Sequence, residues 1–199
     1  MEAQKWCDNV ILVDADYVDK VAFDLIVNFE RMIGRQIPQV DMALWLECIA
    51  LDGGLLPIGK QQVASDNKQK TQVVLLHKQQ AMENFQPGRF EELDGQAFSG
   101  ELGEMLISCV KVEEVTTMEQ LFTESLQVIG SAKEVKRLMA VPDSDHIYNK
   151  VREALRYANP DQHITIFNMQ PMSGGSFRQE ILGYSLMAAL GIKAEEIKE

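Results

Sequence analysis

The sequence predicts a three-layer α/β/α protein built on a mainly parallel sheet. Short apolar runs rich in β-branched residues alternate along the whole chain with segments whose apolar residues recur every three or four positions. The runs are apolar without alternation, which is typical of strands buried on both faces of a parallel sheet. No internal repeat, low-complexity linker or change in composition divides the 199 residues, so we expect one α/β domain over residues 1–199.

The first half of the chain contains three predicted strands and two predicted helices. In order they are a strand at 9–14, a helix at 18–33, a helix at 40–51, a short strand at 55–59 and a strand at 71–77. Gly34 suits the left-handed residue that ends the first helix, and Gly53-Gly54 ends the second. The 40–51 helix is apolar around most of its girth, so it is either deeply buried or covered by a partner chain.

The second half continues the alternation of strands and helices. In order we predict a strand at 105–112, a helix starting at Thr116, a strand at 135–141, a helix at 147–158, a strand at 163–169 and a helix at 173–190. Thr116 with Glu119 three residues later matches the capping-box pattern. Residues 79–103 contain several glycine turn pairs and predict no single element.

The chain is acidic, with 30 Asp and Glu against 19 Lys and Arg and a formal net charge of −11. This charge argues against a protein that coats nucleic acid non-specifically, because such affinity comes mainly from Lys and Arg that neutralise phosphates. It is compatible with an acidic site that holds a divalent cation. The sequence shows no secretory signal, no apolar run of membrane length and no cysteine pair, so we expect a cytoplasmic protein without a membrane segment.

Two pairs of aspartates stand at matching places, each between a predicted strand and the following helix. Asp14 and Asp16 follow the first strand, and Asp143 and Asp145 follow the strand at 135–141. If the two strands are neighbours in a parallel sheet, the four carboxylates converge at one edge, where Mg²⁺ or Mn²⁺ would offset their repulsion. Each aspartate alone also suits a helix N-cap, and this alternative stays open.

The segments ILVDADYV and LMAVPDSDHIYNKVREALRYA resemble the first and fourth acidic motifs of PIN-like nucleases, in particular of their NYN branch. The resemblance implies a Rossmann-like α/β/α fold whose clustered acids bind Mg²⁺ or Mn²⁺ and cleave RNA. In this match Asp14 is the first acid, Asp143 the later acid and Asp145 its neighbour. The acid on the preceding helix is Glu124, with Glu119 as the other candidate. Over its whole length the chain also resembles an uncharacterised bacterial family with no assigned activity.

These observations lead to a principal functional hypothesis, a metal-dependent phosphodiesterase or ribonuclease whose activity is either retained or lost. Asp14, Asp143, Asp145 and Glu124 are its candidate metal ligands. The catalytic set is Asp14, Asp16, Asp143 and Asp145, of which Asp16 or Asp145 orients water or a second ion.

Two alternatives belong to other classes. The first is a non-catalytic Rossmann-like module that forms a homo-oligomer, or docks to a protein partner, through the 40–51 helix. The second is a protein that binds a phosphate-containing small molecule through the loop before the predicted final helix, because free N–H groups at a helix N-terminus bind anions. The residues of this loop are Ser173, Gly174, Gly175, Ser176 and Arg178.

Overall fold

The structure is a computed structural model that describes residues 5–60 and 69–197. The helices and strands, in chain order, are β1 (Asn9–Asp14), α1 (Ala15–Ile33), β2 (Val40–Asp41), α2 (Met42–Asp52), β3 (Lys70–His77), β4 (Phe85–Gln86), α3 (Phe90–Leu93), β5 (Ala97–Gly100), β6 (Gly103–Lys111), α4 (Met118–Ser131), β7 (Arg137–Val141), α5 (Ser144–Ala154), β8 (His163–Asn168), β9 (Arg178–Ile181) and α6 (Leu182–Ala189). Single 3₁₀ turns lie at Ile58–Lys60 and Ala194–Glu196.

The main sheet has seven strands in the order β5-β6-β3-β1-β7-β8-β9, and all neighbours are parallel except β5 and β6. From β1 the chain moves outward to β3 and β6, and then returns past β1 to build β7, β8 and β9 on the other side. Without the antiparallel edge strand β5, this is the strand order of the doubly wound Rossmann fold. The direction of winding reverses between β1 and β7, which makes their carboxyl ends the switch point of the sheet.

Two apolar layers cover the sheet and confirm the predicted three-layer α/β fold. Side chains alternate between the two faces along each strand, so Ile11 and Met139 belong to one cluster while Leu12 and Leu138 belong to the other. Helices α1, α2 and α6 contribute to the first cluster, and α4 and α5 contribute to the second. Among the described residues, no helix is long and apolar enough to cross a membrane.

Helix α2 is packed mainly inside the protein. Trp45 and Leu46 are fully buried, and α2 packs against α6, where the Trp45 indole donates a hydrogen bond of 3.1 Å to Ser185 Oγ. On its outer face Leu44 and Leu51 remain 42% and 48% exposed. Of the two predicted explanations for this apolar helix, intramolecular burial therefore accounts for most of its surface.

Three predicted elements differ from the structure. Residues 55–57 form no strand, and a 3₁₀ turn follows them. The N-cap of α4 is Thr117, one residue after the predicted Thr116, and its side chain accepts a hydrogen bond from Gln120 N.

The third difference is the final helix, which begins at Leu182 and not at Ser173. Residues 178–181 instead pair with β8 as the edge strand β9. Gly174 and Gly175 adopt φ values of +81° and +103°, which a right-handed helix excludes. The predicted helix start at Ser173 is therefore wrong, and the 173–176 loop provides no helix N-terminus for an anion.

Candidate functional site

Asp14 and Asp143 lie beside each other at the switch point of the sheet. Asp14 is the last residue of β1, and Asp143 follows β7, the parallel neighbour of β1. The register aligns Val13 with Val141, so both aspartates stand just beyond the same edge. The structure thus brings together the two strand ends on which the sequence hypothesis depends.

Asp14 is buried, with only 5% of its surface exposed, and it also caps α1. Its Oδ1 accepts a hydrogen bond of 3.1 Å from Tyr17 N. The pKa of Asp14 is raised from 3.8 to about 6, mainly by burial and in smaller part by the negative charges of Asp16 and Asp143. The site therefore holds an acid whose negative charge is costly in the absence of a cation.

Asp16 uses its carboxylate to hold the loop that follows β3. Its Oδ2 accepts a hydrogen bond of 2.8 Å from Lys78 N, and its Oδ1 accepts a longer one of 3.4 Å from Gln79 N. Asp16 is therefore linked to the loop on the β3 side of the switch point.

Asp145 is connected to α1 by a tyrosine that the sequence analysis did not select. The hydroxyl of Tyr17 donates a hydrogen bond of 3.2 Å to Asp145 Oδ2, which joins the first turns of α1 and α5. Burial, together with the charge of Asp145, raises the pKa of Tyr17, so its hydroxyl remains a donor at neutral pH. The position of Tyr17 directly after Asp16 is the only sequence signal that points to it.

Asp143 is not a side-chain cap. Its carboxylate makes no capping hydrogen bond to α5 and instead contacts the ring of His146, with Oδ2 and Oδ1 lying 2.8 Å and 3.0 Å from Nδ1. The side chain of Asp143 is partly exposed and that of His146 is largely exposed. Of the two strand-end acids, only Asp14 caps a helix through its side chain, whereas Asp143 contacts His146 and is partly exposed.

A network of hydrogen-bonded polar side chains runs from α5 to β9. The buried Ser144 hydroxyl donates to Asn168 Oδ1 at the end of β8, and Asn168 Nδ2 donates to Gln179 Oε1 at 2.9 Å. Gln179 Nε2 in turn donates to Met172 O at 2.8 Å and to the Tyr148 hydroxyl at 3.2 Å. None of the sequence predictions includes this network, although a buried-type strand that ends in Asn is a recognisable signal.

The two candidate glutamates of α4 are engaged elsewhere. Glu124 is exposed and accepts a hydrogen bond of 2.9 Å from Gln120 Nε2 on its own helix. Glu119 forms an ion pair with Lys150 of α5. Within residues 5–60 and 69–197 we find no contact between either glutamate and the four aspartates.

The donors at the switch point fit a sparsely ligated cation better than an all-protein metal cage. In the described part of the chain, no group of three or more His, Cys, Asp or Glu side chains is arranged to hold a metal ion. Mg²⁺ keeps several waters and is commonly held by one or two carboxylates together with substrate phosphates. Asp14 and Asp143 are two hard oxygen donors at this edge, and their side chains are buried and partly exposed, respectively.

Comparisons with known proteins identify the family but no activity. The comparisons with curated proteins and with solved structures found no significant match. The model of one family matches residues 3–197, which is nearly the whole chain. The protein therefore belongs to DUF6621, a family of unknown function.

Proposed function

We propose that the protein is a Mg²⁺- or Mn²⁺-dependent phosphodiesterase that cleaves RNA at the crevice between β1 and β7. The observation that carries the proposal is the pair Asp14 and Asp143 at neighbouring strand ends on the switch point of the sheet. In open α/β sheets, ligands bind at this position. The raised pKa of Asp14 supports it, because a cation would offset both the cost of burying this charge and the smaller repulsion from Asp16 and Asp143.

The residues of the crevice have distinct roles in this proposal. Asp14 and Asp143 hold the cation, which polarises the phosphate and supplies an activated water when bound. The Tyr17 hydroxyl positions Asp145 by binding Oδ2, so that Oδ1 orients the water. Asp16 holds the loop after β3 in place.

Metal-dependent cleavage of labelled single-stranded RNA tests the proposal. We expect cleavage by the wild-type protein with Mn²⁺ or Mg²⁺, none with EDTA, and a loss of about 100-fold or more in Asp143→Asn. Asp24→Asn, which removes an exposed carboxylate of α1, is the matched control and should cleave as the wild type does. No cleavage by the wild-type protein with either metal, or full activity in Asp143→Asn, would contradict the proposal.

Calorimetric titration with Mn²⁺ separates the cation site from the substrate. Binding that Asp143→Asn abolishes and Asp24→Asn retains would support the site even if RNA is not cleaved. In that case only the assignment of RNA as substrate would be wrong. Absence of Mn²⁺ binding would remove the basis of the proposed chemistry.

A second candidate function is association of two copies through the outer face of α2. Leu44 and Leu51 lie seven residues apart, so they share one face of the helix, and both are more than 40% exposed. An exposed apolar pair of this kind marks an interaction surface when it belongs to a larger patch.

Sedimentation velocity tests this second candidate. We expect a wild-type dimer that dissociates in the double variant Leu44→Lys/Leu51→Lys. Val128→Lys, which changes an exposed apolar residue of α4, should leave the dimer intact. A wild-type protein that sediments as a monomer at all concentrations would rule out self-association.

A further inference from the structure

The amino ends of β7, β8 and β9 bring basic side chains together at the edge opposite the acidic crevice. The first residues of these three strands are Arg137, His163 and Arg178. Arg137 pairs in register with His163, and Arg178 pairs with Thr165. Because side chains alternate along a strand, these residues all point to the same face of the sheet.

A cavity of about 570 Å³ opens at these strand ends. Its basic lining residues are Arg137, Arg156, His163 and Arg178, and the described residues that line it include no Asp or Glu. Phe177 adds an aromatic ring and Ser176 a hydroxyl-bearing side chain. Such a lining contrasts with the net charge of −11 for the whole chain.

Arg137 is partly buried at this cavity without a carboxylate partner. Its Nη1 donates a hydrogen bond of 2.7 Å to Gly53 O at the end of α2, and among the described residues it makes no ion pair. Burial and the positive charge of Arg178 both lower the pKa of Arg137. The guanidinium has five N–H donors, so most of its hydrogen-bonding capacity remains available to a ligand.

Gly54 leaves space for the side chain of Arg137. Gly54 has a φ of +92°, and a Cβ at this position would lie only 2.7 Å from Arg137 Nη1. A larger residue at position 54 would therefore be strained and would displace the guanidinium. Gly54 therefore leaves room for the guanidinium, which its hydrogen bond to Gly53 O holds at the cavity.

The other basic groups differ in how much of their charge is already compensated. Arg178 contacts Glu180 and also lies near Asp52. Burial and the charge of Glu180 raise the pKa of Asp52, and the positive charge of Arg178 offsets part of this rise. Arg156 and His163 are exposed, and in the part of the chain that the structure describes neither forms an ion pair. The cavity therefore keeps an excess of positive charge.

We propose that this cavity binds a small molecule that carries a phosphomonoester. Planar guanidinium groups match the geometry of phosphate oxygens and bind them with charge-assisted hydrogen bonds. The volume lies within the range of roughly 300–1,000 Å³ that is usual for small-molecule sites. An anion between Arg137 and Arg178 would offset the repulsion between them, and Phe177 offers an apolar surface to the rest of the ligand.

Calorimetric titration with adenosine 5′-monophosphate, inorganic phosphate and adenosine tests the proposal, with EDTA present to remove divalent cations. We expect the nucleotide to bind, phosphate to compete with it and adenosine not to bind. Arg137→Gln and Arg178→Gln should each weaken binding by about tenfold or more. Arg31→Gln, which removes an exposed arginine of α1, and Asp143→Asn should bind within about twofold of the wild type.

The exposed pair Arg156→Gln/His163→Asn keeps the test decisive if Arg137→Gln does not fold, because both side chains lie at the surface. We expect this double variant to fold and to bind the nucleotide more weakly. Absence of nucleotide and phosphate binding, equal binding in all variants, or binding of adenosine alone would overturn the proposal. Binding of single-stranded RNA without binding of the mononucleotide would also overturn it.

Discussion

Asp14 shows how one side chain serves two purposes that the sequence presents as alternatives. Its carboxylate caps α1 through Tyr17 N, and the same carboxylate stands at the switch point beside Asp143. The cap arises from the chain within three residues of Asp14, so the sequence can predict it. The burial that raises its pKa and the nearby charge of Asp143, which follows the neighbouring strand β7, arise only in the folded protein.

The raised pKa of Asp14 predicts a pH-dependent stability that Asp14→Asn removes. Because the folded pKa is about 6 and the ordinary value is 3.8, the folded state binds more protons than the unfolded state between these pH values. The free energy of unfolding contributed by Asp14 therefore falls as the pH rises through this window. We expect the free energy of unfolding of Asp14→Asn, relative to that of the wild type, to be about 2 kcal/mol higher at about pH 8 than at about pH 4.5. Urea unfolding in EDTA at the two pH values measures this difference.

Asp14→Asn changes the charge of the side chain but keeps the cap, because Asn is as good an N-cap as Asp and preserves the hydrogen bond from Tyr17 N. Asp24→Asn, an exposed change on the same helix, should show no such divergence from the wild type with pH. If Asp14→Asn differs from the wild type by the same amount at both pH values, the cost of the buried charge is smaller than we infer.

At the scale of elements, the predicted helices and strands largely match the structure where a local pattern is strong. Helix α1 ends before Gly34, which has a φ of +74° and donates its N–H to Glu30 O, as the sequence predicts. The final helix was mispredicted because β9 has only four residues and three of them are polar. An edge strand of this kind is stabilised by pairing with β8, which no local pattern reveals.

The hydrogen bond between α2 and α6 predicts a stability loss in Ser185→Ala. Trp45 and Ser185 are both buried, and the variant would leave the indole N–H without its acceptor. We expect the free energy of unfolding to fall by about 1–3 kcal/mol, measured by chemical denaturation.

Ser131→Ala is the matched control for this change. The Ser131 hydroxyl is exposed and donates to Gln127 O within α4, so its loss should change stability by no more than about 0.5 kcal/mol. Equal effects of the two variants would show that the contact between Trp45 and Ser185 does not stabilise the packing of α2 against α6.

At the scale of the whole molecule, the folded chain separates its charges between opposite edges of one sheet. Aspartates gather at the carboxyl ends of β1 and β7, and arginines gather at the amino ends of β7 to β9. The composition shows only the net charge of −11 and conceals this separation. Both proposed sites depend on it, because each needs a local excess of one sign of charge.

The net charge itself predicts that salt stabilises the protein. Repulsion among the excess carboxylates destabilises the compact state, and salt at about 0.5 M screens it. We expect NaCl at this concentration to raise the melting temperature by about 2–4 °C near pH 7.5, corresponding to about 1 kcal/mol. The same salt should have a smaller effect near the isoelectric point, and an equal effect at both pH values would show that charge repulsion is not its cause.

The sequence by itself determined the α/β class, the placement of most strands and helices and the presence of acids after β1 and β7. These features follow from local hydrophobic periodicity and capping, which act over a few neighbouring residues. The tertiary structure alone decided that β1 and β7 are neighbours, that Tyr17 reaches Asp145 and that Arg137 and Arg178 meet at one cavity. The pairing of β1 with β7 joins residues more than 120 positions apart, so it is set by the packing of the whole chain and not by any local pattern.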